Sequence, residues 1–426
     1  MKARDSEDST TFDTQPNSIS DWARKLDQAI DQRFDELTKL RRHIHMHPEP
    51  SGEEVETTAF VARHLRDAGL EVAFGPDNKG LVVEVPGMDK ATGTKRIALR
   101  ADMDALRIQD AKATAYRSTV PHVMHACGHD GHTTVVAGAL LGLAALHDQN
   151  AVPWPVCVRG IFQPAEETSR GARDMIGAGA LEEVSAILST HLDPSREVGT
   201  IGVRVGAFTA ACDEFDIRIE GRGGHAARPH ESLDPIAAAA QLISSLYLFV
   251  PRAIDSQDPV VVTIGYIQGG DNANVIPEEV LLKGTLRTLG GIVREQTMDH
   301  IRKLARGMAE TAGVEMTVTY KESTASVRND HALTSLIRQA AGYTVGVDSV
   351  EDIDRPSMGG EDFAEYLDHV PGCMFRLGCK SDLVPSAPLH SPHFDLDERS
   401  IAIGAKILAR AVIMWSQPNG PNDSVR

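Results

Sequence analysis

HACGHDGHTT, residues 125–134, sets a polar, glycine-punctuated turn immediately before an apolar helix at residues 135–146. Cys127 and His129 are one residue apart, so in an extended or turning backbone their side chains can point the same way. Thiolate and imidazole both suit zinc-like ions. Taken alone, the pair reads as a half-buried thiol beside solvated histidines. The segments on either side change that.

Before the turn, RIALRADMDAL (96–106) reads as a strand, nearly continuous in apolar residues until Asp102. Asp102 and Asp104 sit two apart at its end, so both carboxylates fall on one side, at the edge where open α/β sheets hold ligands. After the helix, VCVRGIF (156–162) is a second buried strand running into Gln163-Pro164-Ala165-Glu166-Glu167. Neighbouring glutamates diverge, so one can bind a metal while the other holds a water for deprotonation. A short helix, DMIGAGAL, and a strand, AILSTHL, then deliver His191 at another strand end.

Further upstream, Ser20 caps a helix with apolar residues at Trp22, Leu26, Ile30, Phe34, Leu37 and Ile44, ended by the turn HPEP. Ser51 and Glu54 form a capping-box pattern for a second helix stopped by Gly69, and LVVEV (81–85) is a strand. Alternating strands and helices predict an α/β fold.

From about Gly206 the pattern changes to βαββαβ, the split-βαβ ferredoxin-like order, and after Tyr320 it returns to helix, the loop Met358–Phe363, a strand CMFRLG, the loop SAPLHSPHFD and a final helix. The expected organisation is a discontinuous α/β domain, residues 19–206 and 321–418. An inserted α+β domain spans 207–320, and polar tails lie at 1–18 and 419–426.

The 426 residues carry 43 basic and 60 acidic side chains, a net charge of −17, with no basic patch, which argues against nucleic acid or an anionic membrane as partner. Five cysteines without a CxxC pair fit a reducing compartment, and the polar N-terminus has no signal-peptide core. No membrane-length apolar run is evident, so a cytoplasmic protein is expected.

Cys127, His129, Glu167, His191 and His390 all fall in loops at predicted strand ends of one domain. Five such ligands are enough for two divalent ions, and a pair of ions about 3.5–4 Å apart is a standard device for hydrolysing amides and esters.

The ordered motifs ADMDAL, MHACGHDGHT, FQPAEE, HLDP with VGTIGVRVG, GGHAARPH and NANVIP, with GGEDF and LHSPHFD behind them, resemble those of the dinuclear-metal aminoacylase/carboxypeptidase amidohydrolases. The similarity is to the branch of hippurate hydrolase and the indole-acetyl-amino-acid hydrolases, over about residues 20–416. The resemblance implies a zinc-peptidase-like catalytic domain with a mixed sheet flanked by helices, and an inserted domain serving as lid and dimerisation module, giving a homodimer and possibly a tetramer. It implies two divalent ions per subunit, Zn, Mn or Co, with Cys127 bridging and His129, Glu167, His191 and His390 as the other ligands. It makes Glu166 the general base, sends His225 to the partner subunit's active site, and places Asn274 and Arg287 on an N-acyl-amino-acid substrate. Asp104 would orient a ligand histidine. Two departures stand out: Arg107 replaces a usual proline, and Asp102, where more distant relatives carry a ligand histidine, has no role assigned.

The expected activity is cleavage of an N-acyl-amino acid amide by a metal-activated water. Other readings are a dipeptidase or carboxypeptidase of the same fold, a cysteine-nucleophile hydrolase built on Cys127, and a dimeric binding protein with a structural metal.

Overall fold

The computed structural model describes residues 20–88 and 94–418. The two polar tails expected from the sequence lie outside the described residues. The larger sheet has eight strands in the order Glu71–Phe74, Leu81–Glu84, Val158–Gln163, Arg96–Asp102, Val184–Glu197, Gly372–Lys380, Ile201–Val203, Val350–Asp352. Arg96–Asp102 runs parallel to both its neighbours, and Gly372–Lys380 is parallel to Val184–Glu197. The edge hairpin Glu71–Phe74/Leu81–Glu84 is antiparallel, so the sheet is mixed, as expected. Every residue of Arg96–Asp102 and Val158–Gln163 is buried, because helices cover both faces.

The central helix is His129–Asp148, apolar nearly all round. It packs against Asp21–Asp31, Phe34–Met46 and Arg399–Trp415. Such close helix packing needs small residues at the crossing. A Cβ on Gly142 would sit 2.6 Å from Ile30 Cγ1. The parallel strands end at one edge of the sheet, just where this helix begins, and that edge carries the site.

Three local expectations are corrected. The helix expected to run unbroken from Ser20 to the HPEP turn is two, Asp21–Asp31 and Phe34–Met46, broken at Gln32–Arg33. Apolar spacing continues through the break with no Gly or Pro to mark it. Neither Ser51 nor Glu54 caps helix Val55–Asp67; its first-turn amides at Glu56 and Thr57 donate to the Glu49 carboxylate, at 3.2 and 2.7 Å. Ser51 Oγ instead donates to Asp104 Oδ2 at 2.6 Å, and Glu54 Oε1 accepts from the amides of Gly52 and Ala165, each at 2.8 Å. His191 is not at a strand end but inside Val184–Glu197, two residues beyond that strand's last pairing with Arg96–Asp102 at Ser189.

A second, four-stranded antiparallel sheet has the order Val260–Gln268, Glu279–Thr288, Ala211–Glu220, Glu315–Thr324. With helices Pro235–Ala253 and Gly291–Ala312 it follows the β-α-β-β-α-β succession read from the sequence. Asp234 caps the first helix, accepting from the amides of Ile236 and Ala237. Its own core gathers Phe215, Ile217, Ile219, Leu242, Leu246, Leu282, Leu286 and Ile301.

Helix Pro235–Ala253 is, by length and composition, apolar enough to cross a membrane, contrary to the expectation that no such run exists. Ala238, Ala239, Leu242, Leu246 and Val250 cover the sheet, while Ile236, Tyr247, Leu248 and Phe249 are exposed.

Candidate metal centre

Gly128 ends the HACG turn in the left-handed region, φ 88°, and caps the central helix, so His129 is the helix's first residue. A Cβ at Gly128 would also meet Leu192 Cδ1 at 3.0 Å. Helical spacing puts His129 and His132 on one face, directed at the ends of the parallel strands. Ala165, φ 53°, turns the chain sharply after Val158–Gln163. A non-glycine residue held there costs about 1–3 kcal/mol. The buried carboxylate of Glu54 holds the strained amide and so aims Glu166 and Glu167.

Ligand atoms of Cys127, His129 and Glu167 lie within 4.8 Å of one another. Cys127 Sγ is 3.7 Å from His191 Nε2, and His390 Nε2 is 3.4 Å from Glu167 Oε1. His390 is the exposed member. Its backbone is also left-handed, φ 62°, and its amide donates to Ala126 O at 2.8 Å, which pins the 389–395 loop to the HACG turn.

The imidazoles of His129 and His191 are each oriented by the other ring nitrogen. His129 Nδ1 donates to Asp104, 2.9 Å to the carbonyl and 3.0 Å to Oδ1, and His191 Nδ1 donates to Leu192 O at 2.8 Å. Both Nε2 atoms therefore present lone pairs to the cleft. His129 Nε2 is buried without a hydrogen-bond partner among the described residues, and Glu167 Oε1 has only the His390 imidazole, at 3.4 Å, near it. Burying polar atoms unsatisfied is costly, and a thiol, imidazoles and a carboxylate are the donors that divalent transition ions take. The residues fit a metal.

Asp104 does more than hold His129, since its Oδ2 accepts the Glu167 amide at 3.0 Å. Asp102, grouped with His129 and His132, has both oxygens engaged by protein donors. Its Oδ1 takes His132 Nδ1 at 2.7 Å, its Oδ2 takes Arg100 Nη1 at 2.8 Å, and His132 Nε2 accepts the Leu192 amide at 2.9 Å. Burial alone would raise Asp102, but His129, His132 and Arg100 hold it well below the usual carboxylate range. A chain Asp102–His132–Leu192 thus supports His191. His132 was missed from sequence, although its three-residue spacing from His129 was the available signal.

Glu166 stands beside this group, Oε2 3.9 Å from His129 Nε2. Burial first, then the charges of Glu361, Asp362 and Glu167, lifts its pKa well above the ordinary value. Beneath the site lies a buried ion network that sequence reading also missed. Arg41 Nε binds Asp130 Oδ2 at 2.7 Å and its Nη2 binds Asp395 Oδ1 at 2.8 Å. One guanidinium therefore ties the helix that begins at His129 to the loop that carries His390.

Cys127, Glu166, Glu167, His191, Arg287 and His390 all line one cleft of about 1350 Å³. Arg287, from the four-stranded sheet, donates to Met358 O at 2.6 Å. His225 and Asn274 do not line this cleft. They are exposed and adjacent, on the small ribbon pairing Gly224–His225 with Val275–Ile276. Arg107 is exposed and pairs with Glu53, so its charge is satisfied outside the cleft.

Comparison with known proteins agrees with this arrangement. The model of "Peptidase family M20/M25/M40" matches residues 98–414. N-acetylcysteine deacetylase of Bacillus subtilis is 38% identical over 379 residues, 89% of this chain and 96% of that protein. IAA-amino acid hydrolase ILR1-like 4 of Arabidopsis thaliana is 36% identical, over 88% of this chain and 84% of that protein. The crystal structure of Bacillus subtilis YXEP, described as a dinuclear metal binding peptidase, superposes with a TM-score of 0.76 at 34% identity, covering 91% of this chain and 99% of that one. The chain is a hydrolase and belongs to the M20/M25/M40 peptidase family.

Proposed function

We propose that the protein hydrolyses the amide bond of N-acyl-amino acids, with two divalent ions per subunit, Zn, Mn or Co, held by Cys127, His129, Glu167, His191 and His390. The observation that carries this is the convergence of Cys127, His129 and Glu167, with His129 Nε2 a buried acceptor lacking a partner, next to a spare carboxylate on Glu166. The deacetylase and the IAA-amino acid hydrolase support the substrate class, since both names describe amide cleavage at an amino acid.

When bound, the ions would polarise the amide carbonyl and acidify a water. Glu166 takes that water's proton, which its elevated pKa suits it to retain, and then delivers it to the leaving nitrogen. Arg287 offers a planar fork for the substrate carboxylate from the opposite wall. His225 and Asn274, remote from their own cleft, are suited to the cleft of a second subunit, where His225 would stabilise negative charge on the carbonyl oxygen.

The homodimer would form through the inserted domain, which acts as lid. Its edge strand Val260–Gln268 exposes Tyr266 and Ile267 beside Tyr247, Leu248 and Phe249 of the adjoining helix. Unpaired strand edges and contiguous apolar surface both favour association. A cytoplasmic setting suits five free cysteines.

A cysteine nucleophile is disfavoured by the same geometry. Burial pushes the Cys127 thiol far up, and burial together with the Arg376 charge pushes His191 well below its ordinary range, so neither group is activated for attack. The deciding experiment is Glu166→Gln assayed on acetyl-, benzoyl- and indole-acetyl-amino acids with metal analysis in parallel. Unchanged metal content with turnover reduced by about 10²–10⁴ is expected. Normal turnover would remove Glu166 as the base.

A further inference from the structure

Arg376 lies on the strand Gly372–Lys380, in parallel register with His191 of the neighbouring strand. Residues in register project to the same side of a sheet, and Arg376, like His191, lines the cleft. Its guanidinium is held 5.2 Å over the Phe208 ring. Among the described residues it has no hydrogen bond and no ion pair, which sets it apart from the other cations of the cleft. Arg287 donates to Met358 O, Lys79 to Gly52 O, and Lys321 pairs with Asp216.

The two acidic neighbours whose fields reach Arg376 are engaged elsewhere. Glu361 Oε1 is 3.1 Å from Arg100 Nη2, and Asp193 Oδ2 is 3.2 Å from Arg196 Nε. Arg376 is half-buried, and a partly desolvated cation without a partner is completed by an anion that reaches it. A planar guanidinium with its fork turned to an open cleft matches a carboxylate. Arg287 already offers one such fork from the other sheet, so the cleft presents two.

We propose that Arg376 is a second carboxylate receptor, which makes the preferred substrates amides with two negative groups. This rests on the hydrolase function proposed above. The second carboxylate has two sources: the side chain of an acidic amino acid, or the far end of a dicarboxylic acyl group.

The test compares metal-loaded wild type, Arg376→Met and Arg376→Lys on N-acetyl-alanine, N-acetyl-glutamate and N-succinyl-alanine, with calorimetric titration of succinate into each protein. Methionine keeps a stem to pack on Phe208 and removes only the charged fork. The expected result is a loss of kcat/KM of about 10- to 100-fold in Arg376→Met on at least one dianionic substrate, and within about threefold on N-acetyl-alanine. The substrate that loses most identifies the source. Succinate binding should weaken in parallel, with Arg376→Lys intermediate. Equal losses on all three substrates, or none, would overturn the proposal. Should the metal-loaded wild type cleave none of them, the N-acyl-amino-acid reading fails instead, and the succinate titration alone decides Arg376: unchanged binding in Arg376→Met sinks it.

Discussion

Asp104 Oδ1 and His129 Nδ1 are 3.0 Å apart, and this contact decides which imidazole nitrogen faces the cleft. The other oxygen of the same carboxylate accepts the Glu167 amide, so one buried side chain sets the direction of two donors. Asparagine can reproduce only one of these contacts, because its amide nitrogen cannot accept. Asp104→Asn should lower metal affinity by about 10- to 100-fold, read by chelator competition. An unchanged affinity would show that His129 is oriented by its bond to the Asp104 carbonyl alone.

Metal removal separates the hydrolase mechanisms. Dialysis against a chelator should abolish activity and re-addition of Zn, Mn or Co should restore it, because Glu166 has nothing to deprotonate efficiently without an acidified water. Activity that survives with metal verified absent would return Cys127 to the role of nucleophile.

Removing Arg41 leaves Asp130 and Asp395 facing each other's surroundings with buried, uncompensated charge. Arg41→Met should destabilise the fold by about 3–5 kcal/mol in denaturant unfolding, and should loosen metal binding as the His129 and His390 segments separate. A loss below about 1 kcal/mol would mean that water or the nearby His45 replaces the guanidinium.

Glu54 gives the metal-free protein a pH-dependent weakness. Burial, assisted by the Asp104 charge, raises its pKa from 4.5 to about 7. The folded state therefore keeps the proton while the unfolded chain releases it. The resulting stability is complete below pH 4.5 and is lost as pH climbs to about 7, up to about 3 kcal/mol. Glu54→Gln, which cannot titrate, should lack this component when unfolding is followed between pH 4 and 8. Parallel pH profiles for the two proteins would contradict it.

The exposed apolar face of the second sheet offers a test of the dimer. Leu248→Glu with Ile267→Lys should give a monomer by light scattering, with metal content intact and activity lost, because His225 then reaches no partner. A fully active monomer would place the missing substrate contacts within one chain.

Much of this was legible in the amino-acid order. Apolar runs marked the strands of the larger sheet, alternation marked the smaller one, and clustered Cys, His and Glu after apolar strands marked the cleft, since each is a local signal. What sequence could not reveal was which polar groups meet when distant segments pack. Ser51 and Glu54 match a helix cap by spacing, yet folding sets their oxygens against Asp104 and Ala165. Arg41, His132 and Arg376 resemble ordinary helix or strand residues until burial removes water and leaves each with the partners, or the lack of them, that tertiary packing imposes. Local patterns are written in neighbouring residues. Desolvation, charge pairing and the aim of a lone pair depend on atoms hundreds of positions apart, and only the folded chain brings those together.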